Sequence, residues 1–206
     1  MKFLLILFGL FSFWSGAAAR PGSLPSDSTL SAEEKTGLSF MREEEKLAYD
    51  VYRLFFTKWE LMPFDHISGS ESRHMAAVKS LLDRYELPDP AADKDAGRFA
   101  DATLQQLYNK LTAQGKQTKE DALKAGALIE EVDIRDLQNW LQKTNNPAII
   151  QVYEKLMRGS RNHLRAFVRN LSQYGITYEP VYLSKEDFKA IIDGPMEPGG
   201  GMNRNR

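Results

Sequence analysis

Apolar residues recur every three or four positions over most of the chain, which is the spacing of helices with one buried face. Four long segments and two short ones carry this pattern, and turn or capping residues separate them. The predicted long helices cover about 38–59, 65–85, 118–143 and 147–174, and the short ones about 101–115 and 184–192. The pattern therefore predicts an all-α protein.

The lengths of the connections predict how these helices are arranged. Short loops join the first long helix to the second and the third to the fourth, whereas about thirty residues separate the second from the third. Two antiparallel pairs with one long crossover form the ferritin-like, up-down-down-up type of four-helix bundle. One short helix then lies in the crossover and the other follows the bundle.

Polar residues interrupt the apolar stripe of every long helix near its middle. They are Glu45 on the first helix, Glu71 and His74 on the second, Glu130 on the third, and Ser160 and His163 on the fourth. A lone buried histidine is ordinarily a hydrogen-bonded core residue. Three buried, unpaired carboxylates, however, cost several kcal/mol each unless cations neutralise them. The stripes therefore predict one bound cation or a pair, and these ligands suit iron and manganese, with zinc as an alternative.

The ends of the chain differ from its middle. Residues 1–19 have a basic Lys2, an apolar run and a final Ala17-Ala18-Ala19, which is the pattern of a cleavable signal peptide. We therefore expect a secreted or periplasmic protein with no membrane segment after cleavage. Residues 20–36 are predicted to be a flexible linker, 37–192 the helical domain and 193–206 a disordered tail.

The amino-acid composition argues against several kinds of function and of site. The chain of 206 residues has a formal net charge of −1, which argues against binding nucleic acid through bulk charge. It contains no cysteine, and this excludes disulfides, thiolate metal ligands and iron–sulfur clusters. Any bound metal must therefore be held by His, Asp or Glu.

Four sequence blocks resemble known proteins. The block "EKLAYDVY" (45–52) is similar to the first-helix pattern of rubrerythrins and ferritins, and "ESRH" (71–74) is similar to their Glu-x-x-His. Together with "GALIEEVDIRDL" and "GSRNHLRAFVRNL", they resemble the domain-of-unknown-function 2202 family of ferritin-like proteins, over about 38–192. The resemblance implies a di-iron or mixed Fe/Mn carboxylate site and Fe(II) oxidation or peroxide reduction, with O₂ or peroxide as oxidant. A peroxidase of this type needs an external electron donor, and dimers are common among such bundles.

Site roles follow from the same resemblance. It implies that Glu71 and Glu130 bridge two metals and that Glu45 is a terminal ligand. It also implies that His74 and His163 each bind one metal. Tyr52 would lie next to the site and order it or pass an electron. Glu45 fits the apolar stripe of the first helix better than Glu44 does, and Glu44 is the alternative ligand from that helix.

One position departs from the rubrerythrin pattern. The fourth helix has Ser160 where a Glu-x-x-His motif would place its acid, and Asp133 on the third helix is the candidate replacement. Without a replacement, a non-catalytic module that binds or sequesters a single metal is the alternative. A helical interaction protein without metal is a third hypothesis.

Three further features are expected to be structural. Glu43 is predicted to be solvated and Glu131 to form an ion pair. Arginines spaced along the fourth helix are expected to pair with acids of neighbouring helices; they are Arg158, Arg161, Arg165 and Arg169.

Overall fold

The structure is a computed structural model that describes residues 30–198. The predicted signal peptide, the first part of the predicted linker and residues 199–206 lie outside this range. Within it, no helix is long and apolar enough to cross a membrane.

The described residues form six α-helices and no strands, so the all-α prediction is confirmed for this part of the chain. The bounds of these helices lie within a few residues of the predicted ones, except that the first helix begins earlier than predicted. The helices are α1 Ala32–Trp59, α2 Met62–Arg84, α3 Ala102–Gly115, α4 Lys119–Leu141, α5 Pro147–Gln173 and α6 Lys185–Asp193.

Helix α1 begins at Ala32, earlier than the predicted start near Leu38. The Ser31 side chain accepts a hydrogen bond from the Glu34 backbone N–H, and the Glu34 carboxylate accepts one from the Ser31 N–H. This capping box satisfies backbone donors at the start of the helix. Residues 32–36, assigned to the linker from their polar composition, are therefore helical.

The four long helices pack in two pairs. Helix α1 lies along α2 and α4 along α5, while smaller contacts join α1 to α4 and α2 to α5. Helix α3 packs on α1 and α4. Two apolar clusters fill the interior, one around Tyr52 and Phe167 and the other around Met41 and Leu156. On α1, α2 and α5 the predicted site residues fall in the stretch of sequence between these clusters, whereas on α4 Glu130 lies between Ile129 and Ile134 of the first cluster.

The prediction that Glu43 is solvated is wrong. Glu43 is buried, and its carboxylate accepts hydrogen bonds from the backbone N–H groups of Ala100 and Asp101, at 2.5 and 2.8 Å. Asp101 is the N-cap of α3. Glu43 thus fastens the crossover to α1.

Glu131 does not form the predicted ion pair within the described part of the chain. Its fully buried carboxylate accepts hydrogen bonds from the Tyr178 hydroxyl at 2.6 Å and from the backbone N–H groups of residues 181–183. A carboxylate that accepts several N–H groups is satisfied without a cation. Glu131 therefore holds the segment between α5 and α6 against α4.

Two of the spaced arginines pair with an acid that follows α6. The Arg161 and Arg165 guanidinium groups donate to the Glu197 carboxylate, and the Asn162 side chain binds the Glu197 backbone N–H and C=O. The partner is therefore the segment that follows α6 rather than a neighbouring helix. Residue 197 lies in the stretch predicted to be a disordered tail, and here it is fixed to α5.

Candidate metal centre

Five predicted ligands meet in the middle of the long helices. They form two buried groups that share Glu71: Glu45, Glu71 and His74 in one, and Glu71, Glu130 and His163 in the other. One ligand atom from each member of a group lies within 4.8 Å of the others. We call these the His74 group and the His163 group.

Glu71 joins the two groups through its two carboxylate oxygens. Its Oε2 lies 2.8 Å from His74 Nδ1, and its Oε1 lies 2.8 Å from His163 Nδ1. The His74 and His163 rings are stacked with centroids 5.7 Å apart. The position of Glu71 is thus that of a carboxylate able to bind two ions, one through each oxygen.

Glu130 differs from the bridging role that the resemblance implies. Its Oε2 lies 3.5 Å from His163 Nδ1, while its Oε1 accepts a hydrogen bond from the Tyr52 hydroxyl at 2.6 Å. Glu130 therefore belongs to the His163 group alone, with one oxygen available for an ion. Tyr52 lies next to the site, as expected, and fixes the Glu130 carboxylate.

Several atoms in these groups have no hydrogen-bond partner among residues 30–198. Although His163 Nδ1 and Glu71 Oε1 are only 2.8 Å apart, they lack the alignment of a hydrogen bond, and Glu45 Oε1 also has none. Two ligand atoms that bind one ion at about 2.1 Å and at a right angle lie about 3 Å apart. Converging lone pairs with this separation fit a metal ion, so the residues present suit the group that the resemblance implies.

Without a bound metal ion, the buried carboxylates of the two groups need another source of positive charge. Burial opposes ionisation of Glu71, but the adjacent His163 and His74 hold its pKa well below its usual range. Burial also opposes protonation of the histidines, yet their carboxylate neighbours raise the pKa of His74 well above its usual range and that of His163 to about 10. Without metal, protons on the imidazoles therefore balance the buried carboxylates.

Asp133 is buried next to Ser160 but lies outside both ligand groups. Its Oδ2 accepts a hydrogen bond from the Ser160 hydroxyl, and its Oδ1 has no partner among the described residues. Burial and the Glu130 carboxylate raise its pKa to about 7. An acid thus faces Ser160, and one of its oxygens has no partner among the described residues.

The structure distinguishes Glu45 from Glu44. Glu45 Oε2 lies 3.3 Å from His74 Nδ1, within the His74 group, as the stripe predicted. Glu44 is equally buried but belongs to neither group.

Sequence reasoning missed Gly159. A Cβ built on this α5 residue would lie 2.6 Å from His74 Cε1 and 2.7 Å from His74 Nε2. These distances are too short for a Cβ contact. Only a glycine at this position therefore allows α5 to lie this close to the Cε1 and Nε2 atoms of the His74 ring. A glycine in the middle of a long helix was the available signal, since it costs about 1 kcal/mol relative to alanine and usually has a packing reason.

We expect Gly159→Ala to weaken metal binding by the His74 group about tenfold or more, because the new methyl displaces the imidazole. Metal titrations of the variant and the unchanged protein would measure this. Gly69→Ala is the matched control, since its Cβ meets only Arg73 Nη1 at 4.0 Å. Equal affinity in Gly159→Ala and Gly69→Ala would contradict the expectation.

Comparison with known proteins identifies the family. The chain is 51% identical over 182 residues to the uncharacterised protein MJ0754 of Methanocaldococcus jannaschii, an alignment covering 88% of this chain and 97% of that one. The crystal structure of that hypothetical protein matches 85% of this chain and 100% of its own, with a TM-score of 0.82 and 50% identity. Residues 34–195 match the uncharacterised protein domain DUF2202, and the chain belongs to this family.

Proposed function

We propose that this chain is an exported, ferritin-like metalloprotein whose bundle holds two iron ions, or an iron and a manganese, in the His74 and His163 groups. Its proposed activity is oxidation of Fe(II) by O₂ or peroxide, or reduction of peroxide. The single observation that carries the proposal is the placement of Glu71, with one oxygen 2.8 Å from each histidine. Such a carboxylate favours two ions side by side.

The donor set favours redox-active metals. Each group offers carboxylate oxygens and one imidazole nitrogen, which suit iron and manganese and also accept zinc. When bound, two ferrous ions supply two electrons, the number that converts one hydrogen peroxide and two protons into two waters. Without cysteine, the chain carries no rubredoxin-type electron centre, so repeated turnover requires an external donor.

The chain's own residues would hold, orient and enclose the ions. Glu45 and Glu130 each serve one group, and the Tyr52 hydroxyl fixes the orientation of Glu130 by donating to its Oε1. The aromatic rings of Phe64 and Phe167 pack against Tyr52 with centroids 6.0 and 5.3 Å away, which excludes bulk water from that side. Burial and the Glu130 carboxylate raise the pKa of Tyr52 well above its usual range, so the phenol keeps its proton and remains a hydrogen-bond donor to Glu130.

A second candidate function is binding or sequestration of a single metal without turnover. The observation that favours it is Ser160, because a serine engaged with Asp133 supplies no charged ligand to the His163 group. In that case the His74 group would bind the ion and protonated His163 would balance Glu130.

Metal stoichiometry separates these functions. The full chain, purified without chelator and reconstituted anaerobically with Fe(II) or Mn(II), should retain about two ions in the His74 and His163 groups. Fe(II) oxidation and peroxide consumption by the iron-loaded protein should then exceed the rates of free Fe(II). His163→Gln should leave one ion if the two-metal function is correct. An unchanged ion count in His163→Gln would favour the single-metal function, and no binding to the unchanged protein would refute both.

A further inference from the structure

Gly126 is a buried residue of α4 that lies four positions before Glu130. Positions four apart lie on the same side of a helix, so Gly126 and Glu130 both face the core. A Cβ built on Gly126 would lie 2.6, 2.7 and 2.9 Å from the Cε1, Cζ and Cδ1 atoms of the Phe167 ring. The Phe167 ring therefore occupies the space that a side chain at position 126 would need.

The Phe167 ring is enclosed by other aromatic rings. It is fully buried, and its centroid lies 5.3 Å from that of Tyr52 and 5.5 Å from that of Phe64. Phe64 also packs against Tyr52, with centroids 6.0 Å apart. Because protein interiors are close-packed, an added methyl group forces its neighbours to shift. A methyl group at position 126 would therefore displace Phe167 against the rings that hold Tyr52.

The Tyr52 hydroxyl links these rings to the His163 group. It donates to Glu130 Oε1 at 2.6 Å, and the carbonyl oxygen of Gly126 is a second acceptor at 3.4 Å. The other carboxylate oxygen of Glu130, Oε2, lies 3.5 Å from His163 Nδ1. The position of the Tyr52 hydroxyl therefore determines how the Glu130 carboxylate is oriented.

We infer that Gly126 is a positioning residue for the His163 group. Because it has no side chain, the Phe167 ring can pack where it holds the Tyr52 hydroxyl against Glu130. None of these four residues belongs to the His74 group, so the effect is confined to one of the two groups. Its consequence for metal binding rests on the proposed function, whereas its consequence for Tyr52 is present in the metal-free protein.

Proton NMR of the metal-free full chain tests the effect on Tyr52. A buried hydroxyl that donates a short hydrogen bond to a carboxylate gives a downfield resonance, which is assigned by its loss in Tyr52→Phe. Gly126→Ala should move this resonance upfield, and Gly126→Ala/Phe167→Leu should restore it, because leucine lacks the ring atoms that the methyl group meets. Gly69→Ala is the control, since its Cβ meets only Arg73 Nη1 at 4.0 Å. An unmoved resonance in Gly126→Ala, or no such resonance in the unchanged protein, would overturn the inference.

Manganese titration of the same variants tests the effect on metal binding. Gly126→Ala should weaken the ion of the His163 group about 10–100-fold and leave the ion of the His74 group unaffected. In a Tyr52→Phe background, Gly126→Ala should cause no further loss, because its effect passes through the Tyr52 hydroxyl. Alanine is a better helix former than glycine, so Gly126→Ala should remain folded by circular dichroism. An equal loss with and without the Tyr52 hydroxyl would leave Gly126 a packing role only and overturn the inference.

The two measurements separate this inference from the proposed function. If the unchanged protein binds no metal, the proposed function is refuted, and the Tyr52 resonance still decides whether Gly126 positions the hydroxyl. If the unchanged protein binds two ions and Gly126→Ala binds both with the same affinity, the proposed function stands and the inference about Gly126 is wrong.

Discussion

Replacing Glu71 with alanine is expected to remove both ions of the proposed centre at once. Glu71 is the only residue shared by the two ligand groups within the described range, and each of its oxygens lies 2.8 Å from one histidine. Loss of a residue that merely orients a ligand commonly costs 10–100-fold in metal affinity, so loss of a shared ligand should cost at least about 100-fold at both sites. Elemental analysis after reconstitution, with a competition assay for affinity, would measure the effect.

Variants that affect one group provide the matched comparison. Glu45→Ala should weaken only the His74 group and Glu130→Ala only the His163 group, each leaving one ion. Glu154→Ala, at an exposed position on α5, should leave both. A Glu71→Ala protein that retains one ion of the centre at full affinity would contradict the shared position of this carboxylate.

The site was more predictable from sequence than its surroundings. Glu45, Glu71, His74, Glu130 and His163 interrupt apolar stripes, and helical periodicity is a local property that fixes which residues share a face. Four such faces in one core must bring their polar members together. The sequence therefore predicted which five side chains meet in the core.

Burial by distant segments could not be predicted in this way. Glu43 lies away from the apolar stripe, yet residues 100–101 cover it, and Glu131 is covered by residues 178–183. The stripe of a single helix contains no information about a loop about fifty positions away. The close approach of Gly159 to His74 has the same origin, because it depends on the separation of two helices.

Proton balance links the site to stability. In the metal-free protein, imidazolium groups neutralise Glu71, so the same positions hold either protons or metal ions. Metal binding therefore has to displace protons, and it becomes stronger as the pH rises. Stability without metal has the opposite dependence, which makes pH a direct probe of the centre.

The metal-free protein is expected to lose stability as the pH rises from about 6.5 to 10. The pKa of His163 is about 10 in the folded chain and near 6.5 when unfolded, so between these values the folded state binds the extra proton. Stability from this proton is complete below pH 6.5 and is lost as the pH passes through the folded pKa. His74, whose pKa is also raised, acts in the same direction, and so does buried Asp133 at lower pH, up to its pKa of about 7.

The loss should be a few kcal/mol, or about 5–10 °C in the unfolding midpoint between pH 6.5 and 9. Thermal unfolding followed by circular dichroism, with and without Mn(II), would show the two curves diverging, because bound metal becomes more stabilising over the same interval. His163→Gln should reduce the slope of the metal-free protein and leave the part that His74 contributes, whereas His66→Gln, at an exposed position on α2 outside both groups, should not change it. If metal-free stability stays flat or rises over this interval, the imidazoles do not carry the protons that balance Glu71, and the buried carboxylates must be neutralised among themselves.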